Sequence, residues 1–481
     1  MSLRICLILC LLAAFPCLTI AQSRELIVNI QFDTQLSSNV LVTPATLKYN
    51  KEFAYSFTFD DASKDAYNLG FRLLNGGLGI VDNNTYPGLF YTDGCGNLLP
   101  FRAGISWYTA NDESVDLHFV TPGTLTYDNA KVLFSAGWDF FNHSYNHASD
   151  LTNAEYEWQL SENSRIFKAN TGIKFNICVP PNGDEGYKSA AFEQGLLACI
   201  TSNGAEIGKD FVVDVTIPVP PEPVYWRRDL NSDDYTLTSL KSNFDQWVAT
   251  AGIGKQKWWN EYTHRVQYEH YASSLEFPVF REYFEYMEQK YGRPGKDNGW
   301  FAGSGEVLDY LLVRDKVAFH NEIEGSTLRI HLDYTNVPET LRHFDLSLLL
   351  KNAGNIQSVT SASPLVFTHA KTANGLLINI NVPDSFYSGI DEIVTAPAAL
   401  IFAYPNPTNG TINLKIPDGM TDPSILISDM KSQLLPVPAF SISNGILSID
   451  LKKSAVTPGI YLIGLWSGDK CIGFSKIILN F

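Results

Sequence analysis

Phe53-Ala54-Tyr55-Ser56-Phe57-Thr58-Phe59 reads as a β-strand, and it ends on two adjacent carboxylates, Asp60 and Asp61. Around it, from about Leu26 to about Val317, short apolar runs alternate with amphipathic, glycine-punctuated stretches. Gly172-Ile173-Lys174-Phe175-Asn176-Ile177 reads as another strand. Phe280 to Tyr291 and Gly305 to Arg314 carry apolar residues three and four apart and read as helices. Strands alternating with helices imply a mainly parallel sheet or barrel. Aromatic residues crowd Trp247 to Tyr286; they supply core, and leave room for a sugar-stacking platform.

From about Ser326 the apolar period becomes two. Leu328, Ile330 and Leu332 alternate with Arg329, His331 and Asp333, and Ile378, Ile380 and Val382 repeat the pattern. Half-buried antiparallel strands of this kind predict a small β-sandwich up to about Thr395. The joint Ala396-Pro397-Ala398-Ala399 leads to a last block, again of period two, through Ile412, Leu414 and Ile416, Ile425 and Ile427, and a final strand from Phe474 to Leu479. Neither β region shows a cluster of ionisable residues of the kind chemistry needs.

The other end of the chain has a different texture. Arg4, the apolar run Ile5 to Ala14, Pro16 and the small residues to Ala21 predict a secretory signal peptide over residues 1–21. The run is too short to span a bilayer, and no later segment approaches the roughly 20 apolar residues of a membrane helix. Lipid attachment would use Cys17, for which Phe15-Pro16 is a poor context. The 481 residues, 45% hydrophobic and 18% charged, suit two to four packed domains. A net charge of −16 excludes nucleic acid as a partner, because no basic stripe is present to displace counterions. Cys95, Cys178, Cys199 and Cys471 lie beyond the leader without C-x-x-C spacing, which makes neither a zinc knuckle nor a disulfide scaffold. An oxidising compartment allows one disulfide, whose pairing the spacing does not reveal.

The chemistry concentrates in two places. Asp60-Asp61 stands where loops gather in α/β folds, at the carboxyl end of a strand. Two neighbouring carboxylates repel unless a cation or proton compensates; the plainer reading is a helix N-cap by Asp61 or Ser63. Asn142-His143-Ser144-Tyr145-Asn146-His147 is the second place. If it opens a helix, His143 and His147 share one face and can grip a single ion; as isolated residues they would be ordinary surface histidines. The conjunction decides: two imidazoles and a carboxylate, Asp61, His143 and His147, make a catalytic zinc set with a coordination position left open. One divalent metal, zinc by preference, is the expected cofactor.

T-F-D-D followed by H-S-x-x-H resembles the first two motifs of the polysaccharide deacetylases, carbohydrate esterase family four. The resemblance implies a distorted β/α barrel and one divalent metal, with Asp60 as general base, Asp61 as ligand, and His143 and His147 as the imidazole ligands. The family's third motif reads Arg-Pro-Pro-Tyr; here Val179-Pro180-Pro181-Asn182-Gly183 follows a strand, with Val179 where the arginine belongs. Arg227 or Arg228 is the candidate substitute for orienting Asp60. The backbone amide of Asn182 takes the oxyanion-donor place, and Asn182, Pro181 and Arg228 are assigned to the oxyanion and substrate-binding side. The family's last motif holds a general-acid histidine, matched here by His264 in Trp259-Asn260-Glu261-Tyr262-Thr263-His264, with His270 as rival. Gly299-Trp300-Phe301-Ala302 with Glu306-Val307 resembles the closing segment of secreted members, so the resemblance covers about residues 40–320.

The tail carries a second resemblance. Tyr404-Pro405-Asn406-Pro407-Thr408-Asn409-Gly410, Gly459-Ile460-Tyr461 and Lys476-Ile477-Ile478-Leu479 look like a type IX secretion sorting domain, although Pro-Asn-Pro-x-x-Gly by itself is simply a turn. The combined expectation is an α/β chain: a signal peptide (1–21), a distorted β/α barrel catalytic domain (22–320), a small β-sandwich (321–395) and a C-terminal β-sandwich sorting domain (400–481). The activity implied is removal of N- or O-linked acetyl groups from a polysaccharide or oligosaccharide. The type IX secretion machinery is the implied partner, and the destination is outside a Gram-negative cell or on its surface, with no membrane span once the leader is removed. The alternatives are a non-catalytic glycan-binding or adhesive protein on the same fold, and hydrolysis of a non-sugar amide.

Overall fold

The computed structural model describes residues 24–382 apart from 112–113, 121–122, 202–211, 220–223, 229, 232, 234, 270–273, 364 and 374, together with short stretches of 399–479. The expected leader, His270, residues 396–398 and Pro405 to Pro407 lie outside the described residues.

The largest sheet contains β1 (Phe53–Phe59), β2 (Gly104–Trp107), β3 (Asp139–Asn142), β4 (Ile177–Cys178), β5 (Ala198–Thr201), β6 (Val212–Asp214), β7 (Val224–Arg227), β8 (Leu230–Asn231), β9 (Lys257–Thr263) and β10 (Gly299–Phe301). The order is β6-β9-β1-β2-β3-β4-β5-β7, with β8 beside β9 and β10 beside β1. Among the described residues of this sheet, only the β6–β9 pairing is antiparallel. Every residue of β1 is buried, as expected of a central parallel strand covered on both faces. β9 takes one edge of β1 over its full length, while the other edge is shared: β10 pairs with Phe53–Tyr55 and β2 with Thr58–Phe59. Such a change of partner along one edge curls the sheet. Among the described residues no ladder joins β7 to β9, so this is a curled, incompletely closed parallel sheet, which fits a distorted β/α barrel.

The expected helices are present over Phe277–Tyr291 and Ser304–Lys316. The strand read at Gly172–Ile177 is shorter than expected. Gly172, at φ 78°, closes the helix Asn153–Thr171 in the left-handed conformation, and strand pairing begins only at Ile177.

The β regions differ from the expected division. A four-stranded sheet runs Ala318–Glu324, Thr327–Asp333, Glu25–Phe32, Ile356–Ser361, and another runs Leu41–Pro44, Leu346–Lys351, Gly375–Asn381, Val366–Thr372. Residues from the start of the described chain therefore complete sheets that the sequence reading began only at residue 321. Leu26, Val28 and Ile30 bury against Leu328, Ile330 and Leu332, and one hydrophobic core runs continuously from Leu26 to Val382. Ionic contacts bind the same seam. Glu306, at the start of the Ser304–Lys316 helix, accepts from Lys48 at 2.8 Å and Arg102 at 3.0 Å, and Lys48 also reaches Asp345 at 2.8 Å. The last block has its own core, with Ile412, Leu414, Leu447, Ile463 and Ile477 among its members, drawn from strands of a five-stranded and a four-stranded sheet. Cys95, Cys178 and Cys199 are free thiols. No helix among the described residues is long and apolar enough to cross a membrane.

Candidate functional site

The carboxyl ends of β1, β2, β3, β4, β7 and β9 supply the site. At the end of β1, Asp60 is buried and its N–H donates to the Thr263 carbonyl at 2.8 Å. Arg228, directly after β7, donates from Nη1 to Asp60 Oδ1 at 2.6 Å and from Nη2 to Oδ2, while Ser106 on β2 donates to Oδ1 at 2.6 Å. The guanidinium lies 4.1 Å from the centre of the Tyr262 ring. Burial would raise the Asp60 pKa, but the charge and hydrogen bonds of Arg228 outweigh it and hold the carboxyl at about 2. Of the two places assigned to Arg228 above, its contacts are those of the residue that orients Asp60. It is buried, and both its Nη groups are committed to Asp60, the place left open by Val179.

The chain turns sharply after Asp60. Asp61 and Ala62 both have positive φ, 61° and 47°, a conformation that costs side-chain-bearing residues about 1–3 kcal/mol each and that concentrates at functional sites. The turn brings Asp61 Oδ1 to 3.5 Å from His143 Nε2 and 3.6 Å from His147 Nε2. Of the two residues in the plainer N-cap reading, Ser63 accepts from the Asp65 N–H at 3.4 Å, whereas Asp61 Oδ1 faces the two imidazoles.

His143 and His147 meet without a helix. His143 extends β3, its N–H donating to the Trp107 carbonyl at 2.9 Å. Ser144 and His147 then take positive φ, 65° and 60°, and the His147 N–H donates to Ser144 Oγ at 2.9 Å. Gln159, on the helix that begins only at Asn153, accepts from the N–H groups of Tyr145 and Asn146. A side-chain-bonded loop thus replaces the expected helical turn, and the ring centres still lie 4.9 Å apart.

Several features fit a divalent cation. His143 Nδ1 donates to the Val179 carbonyl at 2.5 Å, which in the neutral ring turns the lone pair of Nε2 toward Asp61. Burial lowers the His147 pKa, with the neighbouring His143 acting in the same direction, and so favours its neutral, ligating form. Asp61 Oδ1 is buried without a hydrogen-bond partner. A carboxylate oxygen facing imidazole lone pairs is repulsive unless a cation lies among them, and the donor set is one that zinc accepts.

On the opposite side, His264 follows β9. Its Nδ1 lies 2.8 Å from Asp233 Oδ2, and Thr263 Oγ1 donates to Asp233 Oδ1. Burial lowers the His264 pKa, but the Asp233 hydrogen bond and the charges of Asp60 and Asp61 outweigh it and raise the value above that of an ordinary histidine. Asp233 and Ser106 are the two site residues that the sequence reading missed. The acidic pair Asp233-Asp234, five residues beyond Arg228, was the available signal for the first; an isolated serine in a strand offered none. Pro181 is buried and Asn182 exposed at φ 54°, just past the carbonyl that orients His143, and Asn182 Nδ2 lies 3.4 Å from Ser149 Oγ.

Comparison with known proteins bears out both resemblances. Residues 111–195 match the polysaccharide deacetylase family model, a span that includes His143 and His147 but not Asp60, Asp61 or His264. Residues 402–480 match the secretion system C-terminal sorting domain. No curated protein matches the chain. Among solved structures, a Streptococcus pyogenes deacetylase, PplD in complex with acetate, is similar at 16% identity and TM-score 0.23, covering 31% of this chain and 55% of its own length. The peptidoglycan deacetylase PdaC from Bacillus subtilis is similar at 12% identity and TM-score 0.30, covering 54% and 92%. A family-four pseudoenzyme from Bacillus anthracis is similar at 14% identity and TM-score 0.30, covering 54% and 66%.

Proposed function

We propose that this chain is an exported, metal-dependent hydrolase that removes acetyl groups from a polysaccharide. The observation that carries the reading is the pairing of two carboxylates with opposite surroundings: Asp60, buried and clamped by Arg228, beside Asp61, whose Oδ1 faces only His143 and His147. Asp61, His143 and His147 would hold the cation, zinc by preference, which supplies Lewis-acid polarisation of the acetyl carbonyl and an acidified water.

The protein's own groups do the rest. Asp60, ionised throughout the neutral range, accepts a proton from the attacking water as its oxygen bonds to the acetyl carbon. Arg228 and Ser106 prevent the carboxylate from turning away. The backbone amide of Asn182 donates to the oxygen that becomes negative. His264, with Nδ1 engaged by Asp233, donates its Nε2 proton to the leaving nitrogen or oxygen as the C–N or C–O bond breaks. Acetate and a free amine or hydroxyl are the products. The glycan-binding alternative drew its support from Val179; Arg228 weakens that support by meeting Asp60 from another strand.

The leader read from the sequence of residues 1–21 and the match of residues 402–480 to the sorting domain support export by the type IX route. The test is acetate release from a panel of N- and O-acetylated oligosaccharides, with and without a chelator. Release that the chelator abolishes and Asp60→Asn eliminates is expected; no release from any substrate, with metal bound, favours the glycan-binding alternative.

A further inference from the structure

The outer face of the sheet containing Glu25–Phe32 carries a cluster that the sequence reading excluded. Ala318–Glu324 and Thr327–Asp333 form a hairpin in which His320 is directly opposite His331. The two rings stack with centres 4.3 Å apart and planes 10° apart. Glu322 lies two residues beyond His320 and therefore on the same face. On the far side of His331, the strand Glu25–Phe32 brings Glu25 Oε1 to 2.8 Å from His331 Nδ1.

In the neutral ring this arrangement selects one tautomer. Nδ1 donates to Glu25, so Nε2 is left as the lone-pair atom, and that atom is buried with no hydrogen-bond partner. Its nearest ionic neighbour is Glu322 Oε2 at 3.9 Å, another lone-pair bearer. One ligand atom from each of His320, Glu322 and His331 lies within 4.8 Å of the others. A carboxylate behind an imidazole whose other nitrogen faces further donors is the usual second layer of a metal site.

We propose that His320, His331 and Glu322 bind one divalent transition-metal cation of the zinc type, with Glu25 orienting His331. Donor atoms around tetrahedral zinc with bonds of about 2.0–2.2 Å stand roughly 3.3–3.6 Å apart. The side chains of His320 and Glu322 are exposed, so small rotations close the set. Arg329 competes for Glu322, with Nη1 at 3.4 Å from Oε2, and must release it. The cation would tie the two strands of the hairpin together, with Glu25 of the neighbouring strand behind His331, at a site separate from Asp61, His143 and His147. The rival occupant of the Nε2 lone pair is a proton, which would make His331 an imidazolium bridging Glu25 and Glu322.

Calorimetric titration of the chelator-stripped full chain with zinc alone separates these. Wild type should take up two equivalents. His143→Ala/His147→Ala should retain the one bound at His320 and His331, and His320→Ala/His331→Ala should lose that one while keeping the other. Glu25→Gln should weaken the same equivalent about 10–100-fold, as expected for a group that orients a ligand. A wild type whose bound zinc is fully retained by His320→Ala/His331→Ala overturns the proposal and leaves the proton. Because the surface equivalent is read in the His143→Ala/His147→Ala background, its failure is distinguishable from failure of the hydrolase reading.

Discussion

Replacing Arg228 with methionine removes the two guanidinium contacts from Asp60 while preserving most of the buried volume. A buried carboxylate deprived of its partner destabilises a fold by about 3–5 kcal/mol. The pKa gives a figure of the same order. Its depression from 3.8 to about 2 is equivalent to about 2.5 kcal/mol of preference for the charged form in the folded chain. Because the folded value lies below the unfolded one, this contribution is present above pH 3.8 and is lost as the pH falls through about 2. At pH 7 the variant therefore loses the part of it that Arg228, the largest favourable cause, supplies. In Arg228→Met the carboxylate is also free to turn, and a displacement of about 1 Å in a catalytic group lowers turnover by about a hundredfold. The assay is a urea midpoint and a kcat for wild type, Arg228→Met, Asp60→Asn and the double variant, all loaded with metal. The double variant removes both charges, so it should recover most of the stability lost by either single change and none of the turnover. Arg228→Lys, with one point donor in place of a fork, should fall between wild type and Arg228→Met. If Arg228→Met loses less than about 1 kcal/mol, the magnitude of a solvent-exposed pair, and keeps wild-type kcat, the claim that this ion pair positions Asp60 is wrong.

Other consequences are equally direct. His264→Ala should retain metal and lose about 10²–10⁴ in turnover, most on amide substrates. Asp233→Asn should lose less and move the upper limb of the kcat/KM profile to lower pH, because the contact that raises the His264 pKa is gone; an unmoved limb excludes His264 as the acid. Asp309 is buried and accepts from the N–H groups of Arg342 and His343, and burial pushes its pKa up to about 8. The folded chain then holds a proton that the unfolded chain releases near 3.8, so stability should decline as the pH rises from about 4 to about 8. Asp309→Asn, whose side-chain oxygen still accepts both bonds, should flatten that decline by roughly 1–3 kcal/mol between pH 5 and 7 in urea titrations; parallel curves would refute it. Truncation near Ala398 should leave acetate release intact in vitro and trap the protein in the periplasm. Normal extracellular levels of the truncated chain would remove the export role from the last block.

Local patterns determined what neighbouring residues decide among themselves. Phe53 to Phe59 reads as a strand because its four aromatic residues and Thr58 suit a pleated, covered surface, and the structure buries all seven residues. The apolar spacing of Phe280 to Tyr291 and of Gly305 to Arg314 required helices there. Asp61, His143 and His147 were legible because strand ends are where βα chains gather their side chains, and the structure brings the three together. The route was less legible: His143 and His147 converge through Ser144 and His147 at positive φ, held by Gln159, and no spacing rule distinguishes that loop from a helical turn. Tertiary structure alone decided which arginine meets Asp60, since β1 and β7 are separated by most of the sheet and only its curl brings their ends together. It likewise placed Asp233 behind His264, and it drew Glu25 across some three hundred residues to His331. The sequence reading placed residues 24–44 within the barrel domain of 22–320, yet Glu25–Phe32 and Leu41–Pro44 complete the two four-stranded sheets. A strand of period two shows which of its faces is buried but not which partner covers it, and that choice rests on the whole core from Leu26 to Val382.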